Sequence, residues 1–194
     1  MMLPFTDGLV PTTHFDGEMS VLADRHYSRQ TPGARQFCPN GRKLVLRNTA
    51  GTVLFVWMHQ QYRRDGLIGG YHCTLFRNES NRLSSKIILE AEKLAVRKWG
   101  FQPVFTRFFT YVDPHRIKSQ NPGCCFLKAG WRRIGVSKSG KIILDKAVTN
   151  KLLEERGYVS GPLNPKCRCG HTLSDHGQHW LSFACFFCQC DDFQ

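Results

Sequence analysis

An α+β or α/β domain, with a mixed sheet and helices on its faces, is the fold class the sequence predicts, and three observations predict it. Apolar runs bounded by turn residues alternate with helical stripes in the order helix, hairpin, strand, helix, strand, helix, two strands. The 194 residues suffice for one domain with a real core and a small appendage. The cysteines are unevenly placed: of nine, five crowd between Cys167 and Cys190, which marks off the appendage.

The first helix is expected within Asp16 to Tyr27 (DGEMSVLADRHY), where Met19, Leu22 and Ala23 recur at helical spacing ahead of a HYSRQTPG loop. Lys43 to Arg47 (KLVLR) and Thr52 to Met58 (TVLFVWM) flank a turn at Asn48 to Gly51, a hairpin pattern. Tyr71 to Arg77 (YHCTLFR) alternates like a strand and ends in the polar loop NESNRL. The clearest helix runs from Ser84 or Ser85 to Trp99, because a serine hydroxyl accepts a bond from an otherwise unpaired amide at a helix start. Ile87, Ile88, Ala91, Leu94, Ala95 and Trp99 give it one apolar stripe, and Gly100 closes it. Val104 to Val112 is the next strand, stopped by Asp113-Pro114. Gly123 to Ala129 predicts a short helix ended by Gly130, and two short strands follow at Trp131 to Val136 and Lys141 to Leu144. A last helix is expected at Asn150 to Arg156. The run from Gly161 to Pro165 (GPLNP) is the hinge that divides a domain at 1–160 from a tail at 161–194.

Charge separates the same two parts. The formal balance is +12, but 25 of the 27 basic and 12 of the 15 acidic residues precede Lys166, so the body carries +13. Such a body suits a polyanion, most often nucleic acid, with a plain solvated basic surface as the alternative. No apolar run approaches the roughly 18 residues a membrane span needs. The N-terminus lacks the basic start and apolar stretch of a secretory signal, so a cytoplasmic protein is expected. Cysteines in that compartment serve as metal ligands or packing rather than as disulfides.

The tail reads CRCGHTLSDHGQHWLSFACFFCQC. Thiolate and imidazole are the ligands Zn²⁺ prefers, and two short clusters across a loop wrap one tetrahedral ion. The candidates are four of Cys167, Cys169, His171, His176, Cys185, Cys188 and Cys190, with His179 the spare. A segment this short buries too little apolar surface to fold alone, so the metal would supply its folding free energy. With every ligand supplied by protein, this zinc-ribbon-like module reads as structural.

Three constellations stand out in the body. The run Arg25 to Arg29 (RHYSR) ends the first helix before a Gly/Pro loop, where active-site edges and plain helix ends both occur. Arg77, Arg82, Ser84 and Ser85 surround the start of the long helix, whose free amides favour anions. Capping alone explains a serine there but not the two arginines. Asp113 and His115 follow a buried strand, at the carboxyl end where ligand crevices form.

Together, the segment order, the HYS element at His26 to Ser28, the RNES loop before Ser84-Ser85, the strand ending in Asp113 and PGCCFLKAGWRRIGVS at Pro122 to Ser137 resemble the GNAT fold of acyltransferases. Within it, the chain looks most like the Mom family of bacteriophage DNA-modification proteins, over roughly Met19 to Leu144. That resemblance implies double-stranded DNA as the partner and a transferase that converts its adenine to an N6-acetamido (carbamoylmethyl) derivative, shielding phage DNA from host restriction. It implies site roles for His26 and Tyr27 (the family's His-Tyr pair), Arg77 (its essential arginine), Ser84 or Ser85 (its helix-start serine) and Asp113 (its strand-end aspartate). It also implies iron held by some of these groups, and imidazole, carboxylate and phenolate suit iron.

The chain departs from the family at His115, where the family has a tyrosine, and in its zinc tail. It also departs from ordinary GNAT enzymes, which bind the coenzyme A pyrophosphate on a glycine-rich loop before the long helix. Here that loop, Arg77 to Ser85, has no glycine, which argues against acetyl-CoA and leaves an acyl or glycyl-type donor; Arg63 to Gly66 has the spacing but precedes the wrong strand. Arg77, Arg82, Ser84 and Ser85 are the residues expected to hold the donor. Tyr27, Phe37 and Tyr111 are the aromatics available to stack on an extruded base. Two other readings are a GNAT N-acetyltransferase acting on a protein or small-molecule amine, and a non-enzymatic basic DNA-binding protein with a zinc tail.

Overall fold

The computed structural model describes residues 7–60, 69–99, 107–117 and 119–148. They lie in one compact unit, Met1–Val148. The helix expected at 150–156, the hinge, the boundary at 160, Arg63 to Gly66 and the candidate zinc ligands lie outside the described residues. No helix among the described residues is long and apolar enough to cross a membrane.

The elements run β1 (Leu9–Thr12), α1 (Gly17–Asp24), β2 (Lys43–Asn48), β3 (Val53–Gln60), β4 (Gly70–Asn78), α2 (Ser84–Trp99), β5 (Arg107–Val112), α3 (Cys124–Lys128), β6 (Arg132–Val136) and β7 (Ile142–Ala147). They build one seven-stranded sheet in the order β1-β2-β3-β4-β5-β7-β6. Every neighbouring pair is antiparallel except β4 and β5. A parallel pair needs a long crossover, and the segment carrying α2 supplies it. The mixed sheet flanked by helices is the predicted class. Strand β1 was not expected; its four residues pair with Val45 to Asn48, and the Leu9 amide donates to Glu90 Oε1 at 2.6 Å.

One face of the sheet carries α1. Asp16 caps this helix by accepting the Met19 amide at 3.2 Å. Met19, Leu22 and Ala23 then join Phe37, Cys38, Val45, Leu54, Val56 and Leu75 in one buried cluster. Phe37 is therefore core, which removes it as a base-stacking residue. The other face carries α2 and α3 over an aromatic layer. Trp57 stacks on Trp131 at 6.3 Å and meets Phe108 at 5.1 Å, and its indole N–H reaches the Ala91 carbonyl of α2 at 3.0 Å. The buried stripe of α2 is Ile87, Ile88, Ala91, Glu92, Ala95 and Val96. Its one charged member, Glu92, is fully buried and is met by the Trp131 indole N–H at 2.7 Å and by Lys146 Nζ at 3.0 Å. A buried charge persists only when paired and hydrogen-bonded in this way.

Two features of β4 shape the site. Val56 pairs with Leu75 while the next residue, Trp57, pairs with Cys73, so Thr74 is an extra residue without a partner on β3. Such a bulge bends the strand, and it turns Leu75 into the α1 core. Pairing with β5 covers only Tyr71 to Cys73, although β4 continues to Asn78 and β5 to Val112. Beyond Cys73 and Thr110 the two strands part, and their carboxyl ends flank a cleft.

Candidate active site

The cleft is edged from one side by the chain leaving α1. That helix stops at Arg25, and the next residues turn back on themselves through His26 N–H to Ala23 O at 2.9 Å and Arg29 N–H to His26 O at 3.0 Å. His26 Nδ1 lies 3.2 Å from the Ser28 amide, which can only donate, and 2.7 Å from the Ser28 hydroxyl. Nδ1 is therefore the acceptor, and a neutral ring carries its proton on Nε2. Burial, helped by the positive charge of Arg77, pulls the His26 pKa down to about 4. At neutral pH His26 is an uncharged ring with its N–H available as a donor.

Tyr27 stacks beside His26 with ring centroids 4.4 Å apart. Its hydroxyl accepts the Asp113 amide at a long 3.4 Å, which joins the α1 end to the end of β5. Burial pushes the Tyr27 phenol up and outweighs the hydrogen bond from the Asp113 amide, which pulls it down. The phenol keeps its proton at neutral pH. Asp113 Oδ1 accepts the His115 amide at 3.1 Å, and the His115 side chain is exposed. The structure brings His26, Tyr27 and Asp113 together and leaves His115 on the outer rim.

Arg77, at the end of β4, is also here, but its guanidinium is engaged within the chain. Nη1 donates to the Arg25 carbonyl at 2.6 Å, and Nε reaches Glu79 Oε1 at 2.8 Å. Glu79 is held from the other side by Arg25, through Nε at 2.9 Å and Nη2 at 2.6 Å. The Arg25 bonds, and then those of Arg77, hold the Glu79 carboxyl down at about 2. The other expected donor-binding residues are engaged as well. Arg82 pairs with Glu90 at 2.5 Å, and Ser84 Oγ lies 3.0 Å from Asn78 Nδ2. Asn78 also donates to the Arg82 carbonyl and accepts both the amide and the hydroxyl of Ser80. The loop before α2 is closed by its own side chains. Ser85 occupies the first turn of α2.

Sequence reasoning gave no role of its own to Glu79, Cys73 or Cys125. Cys73 sits at the point where β4 and β5 part, its thiol pushed up first by burial and then by Cys125. Cys125 lies on α3, whose preceding residue Gly123 adopts φ +81° and would place a Cβ 2.6 Å from Leu144 Cδ1. Nothing in YHCTLFR or GCCFLKA signals that Cys125 acts on the Cys73 thiol; the RNES run does place Glu79 within reach of Arg77. Among the described residues, no group of three His, Cys, Asp or Glu side chains is placed to hold a metal. With His26 Nδ1 turned to Ser28 and His115 on the rim, the set does not fit the implied iron.

Solved structures carry the same chain path. The chain is similar to aminoglycoside acetyltransferase AAC(6')-Ib, solved with coenzyme A and kanamycin and again with coenzyme A. Each comparison has a TM-score of 0.52 and 16% identity, over 76% of this chain and 97% of that one. The fold is GNAT. At this identity the likeness extends to the fold alone. No protein-family model matches the chain, and no curated protein matches it. In this GNAT fold the His26–Tyr27–Asp113 group lies at the parted ends of β4 and β5, and the self-closed loop lies between β4 and α2.

Proposed function

We propose that this chain is a GNAT-fold transferase that modifies the N6 amine of adenine in DNA with an acetamido-type (carbamoylmethyl) group, acting in the cytoplasm of a host cell to evade restriction. One observation supports the reading: a neutral His26, a protonated Tyr27 and the Asp113 backbone meet where β4 and β5 part, beside a loop whose side chains bond one another. An amine inside a duplex is reached only after the base leaves the stack, at a cost of a few kcal/mol. The +12 chain attracts the phosphates without regard to sequence. The Asp113 carboxylate is the group to accept a proton from the exocyclic amine, and Tyr27 O–H and His26 Nε2–H are donors toward charge developing on the second substrate. Tyr111, partly exposed on β5, remains an aromatic for the base to meet. An acyl or glycyl-type donor suits this site better than acetyl-CoA.

Mass spectrometry of nucleosides from DNA co-expressed with the protein tests the reading. An adenosine adduct that disappears with Asp113→Ala supports it, and unmodified DNA defeats it. The second reading, an N-acetyltransferase of a small-molecule or protein amine, draws on the likeness to an enzyme solved with coenzyme A. Micromolar coenzyme A binding by calorimetry together with unmodified DNA selects that one. For the tail, we infer one structural zinc ion on four of Cys167, Cys169, His171, His176, Cys185, Cys188 and Cys190. Elemental analysis of the purified chain should find about one equivalent of zinc, and none would refute the site.

A further inference from the structure

The family resemblance assigns Arg77 to the second substrate, but its hydrogen bonds point into the protein. Nη1 holds the carbonyl of Arg25, the peptide immediately before His26. The same guanidinium shares Glu79 with the Arg25 side chain, so one carboxylate ties both arginines. These contacts bridge more than fifty residues of sequence, with separations of 52 between Arg77 and Arg25 and 54 between Arg25 and Glu79. Glu79 is itself anchored: its amide donates to the Thr52 carbonyl at 2.8 Å, and Asn78 closes the loop on its other side. A rigid loop therefore grips the segment that presents His26 and Tyr27.

We propose that Arg77 and Glu79 are positioning residues of the active site: Arg77 fixes the Arg25–His26 peptide, and Glu79 fixes Arg77. The assignment of the site rests on the function proposed above; the contacts do not. The fork geometry is what matters, since only a guanidinium bonds a carboxylate and a carbonyl at once with fixed angles. Arg25 is the third member: its side chain, 47% exposed, braces Glu79 and also donates to the Val21 carbonyl at 3.4 Å. An incoming anion would have to displace a carboxylate already held by two guanidiniums, so the second substrate takes its anionic part, if it has one, elsewhere.

Three amides report the position of this segment: Ser28 on His26 Nδ1, Arg29 on the His26 carbonyl and Asp113 on the Tyr27 hydroxyl. Their hydrogen exchange, read residue by residue by NMR on the full chain, tests the proposal. In Glu79→Gln and in Arg77→Lys, which keeps the charge but not the fork, the three should exchange about tenfold faster while α2 and the central strands keep wild-type protection. Either variant decides alone if the other fails to fold. Unchanged exchange at these amides in a folded variant overturns the proposal, as does an equal rise throughout the domain, which would mean a general stabilising role. In DNA co-expression, the adduct should fall about tenfold with either variant. A wild type that leaves DNA unmodified defeats the proposed function and leaves the exchange result to judge the latch.

Discussion

Substituting Gly123 by alanine should destabilise the domain by an amount the structure sets. Gly123 enters α3 with φ +81°, and an added Cβ would stand 2.6 Å from Leu144 Cδ1 and 3.7 Å from Val112 Cγ2. The left-handed backbone costs an L-residue about 1–2 kcal/mol. Leu144 is 1% exposed, so its methyl has nowhere to retreat, and overpacking of this kind costs about 1–3 kcal/mol. The sum is about 2–5 kcal/mol, a fall in Tm of roughly 4–20 °C for a chain of this size. Gly33→Ala is the control: φ is +79°, but nothing lies within 4 Å of its Cβ, so only the backbone cost applies. Urea unfolding with equal m-values separates the two parts. Equal losses in the two variants would refute the argument, because the Leu144 overlap would then contribute nothing. A larger loss at Gly123 should also impair the site, since α3 presses Phe126 against Phe76 of β4 at 6.1 Å.

Three further outcomes follow from the charges. The folded pKa of His26, about 4, lies below its ordinary 6.5, so the fold favours the neutral ring. That contribution is fully present above pH 6.5 and is lost as pH falls from 6.5 toward 4; urea midpoints of His26→Gln should lack this part of the wild-type decline, and identical pH profiles would refute the neutral assignment. Glu92→Ala takes the counter-charge from Lys146, whose Nζ also donates to the Ala129 carbonyl at 2.6 Å, and the acceptor from the Trp131 indole N–H, and should cost about 3–5 kcal/mol in the same denaturation assay. A loss under about 1 kcal/mol would show that the buried pair is worth little beyond a hydrophobic replacement. DNA affinity, followed by fluorescence anisotropy, should fall at least about a hundredfold between 50 and 200 mM salt; a flat salt profile would rule out phosphate-driven binding.

By itself the sequence determined the order of elements and the class of sheet. Local rules suffice for those: the stripe on α2, the hairpin turn at Asn48 to Gly51, the Asp113-Pro114 stop and Gly130 are all written in neighbouring residues. It also named His26, Tyr27, Arg77 and Asp113 by resemblance. Tertiary structure decided what those residues do for one another. Strand β1 exists because β2 pairs with it, whereas LVPT, carrying Pro11, has little strand character of its own. Leu75 faces α1 only because Thr74 bulges, and the cleft opens only because β5 stops pairing with β4 at Thr110. Phe37 has the composition of a stacking residue and the address of a core residue. Arg77 has the charge of an anion site, yet Glu79 and the Arg25 carbonyl have already claimed it. Periodicity and capping act over a few residues, while these contacts join segments some fifty residues apart, and only the folded chain brings them within hydrogen-bonding distance.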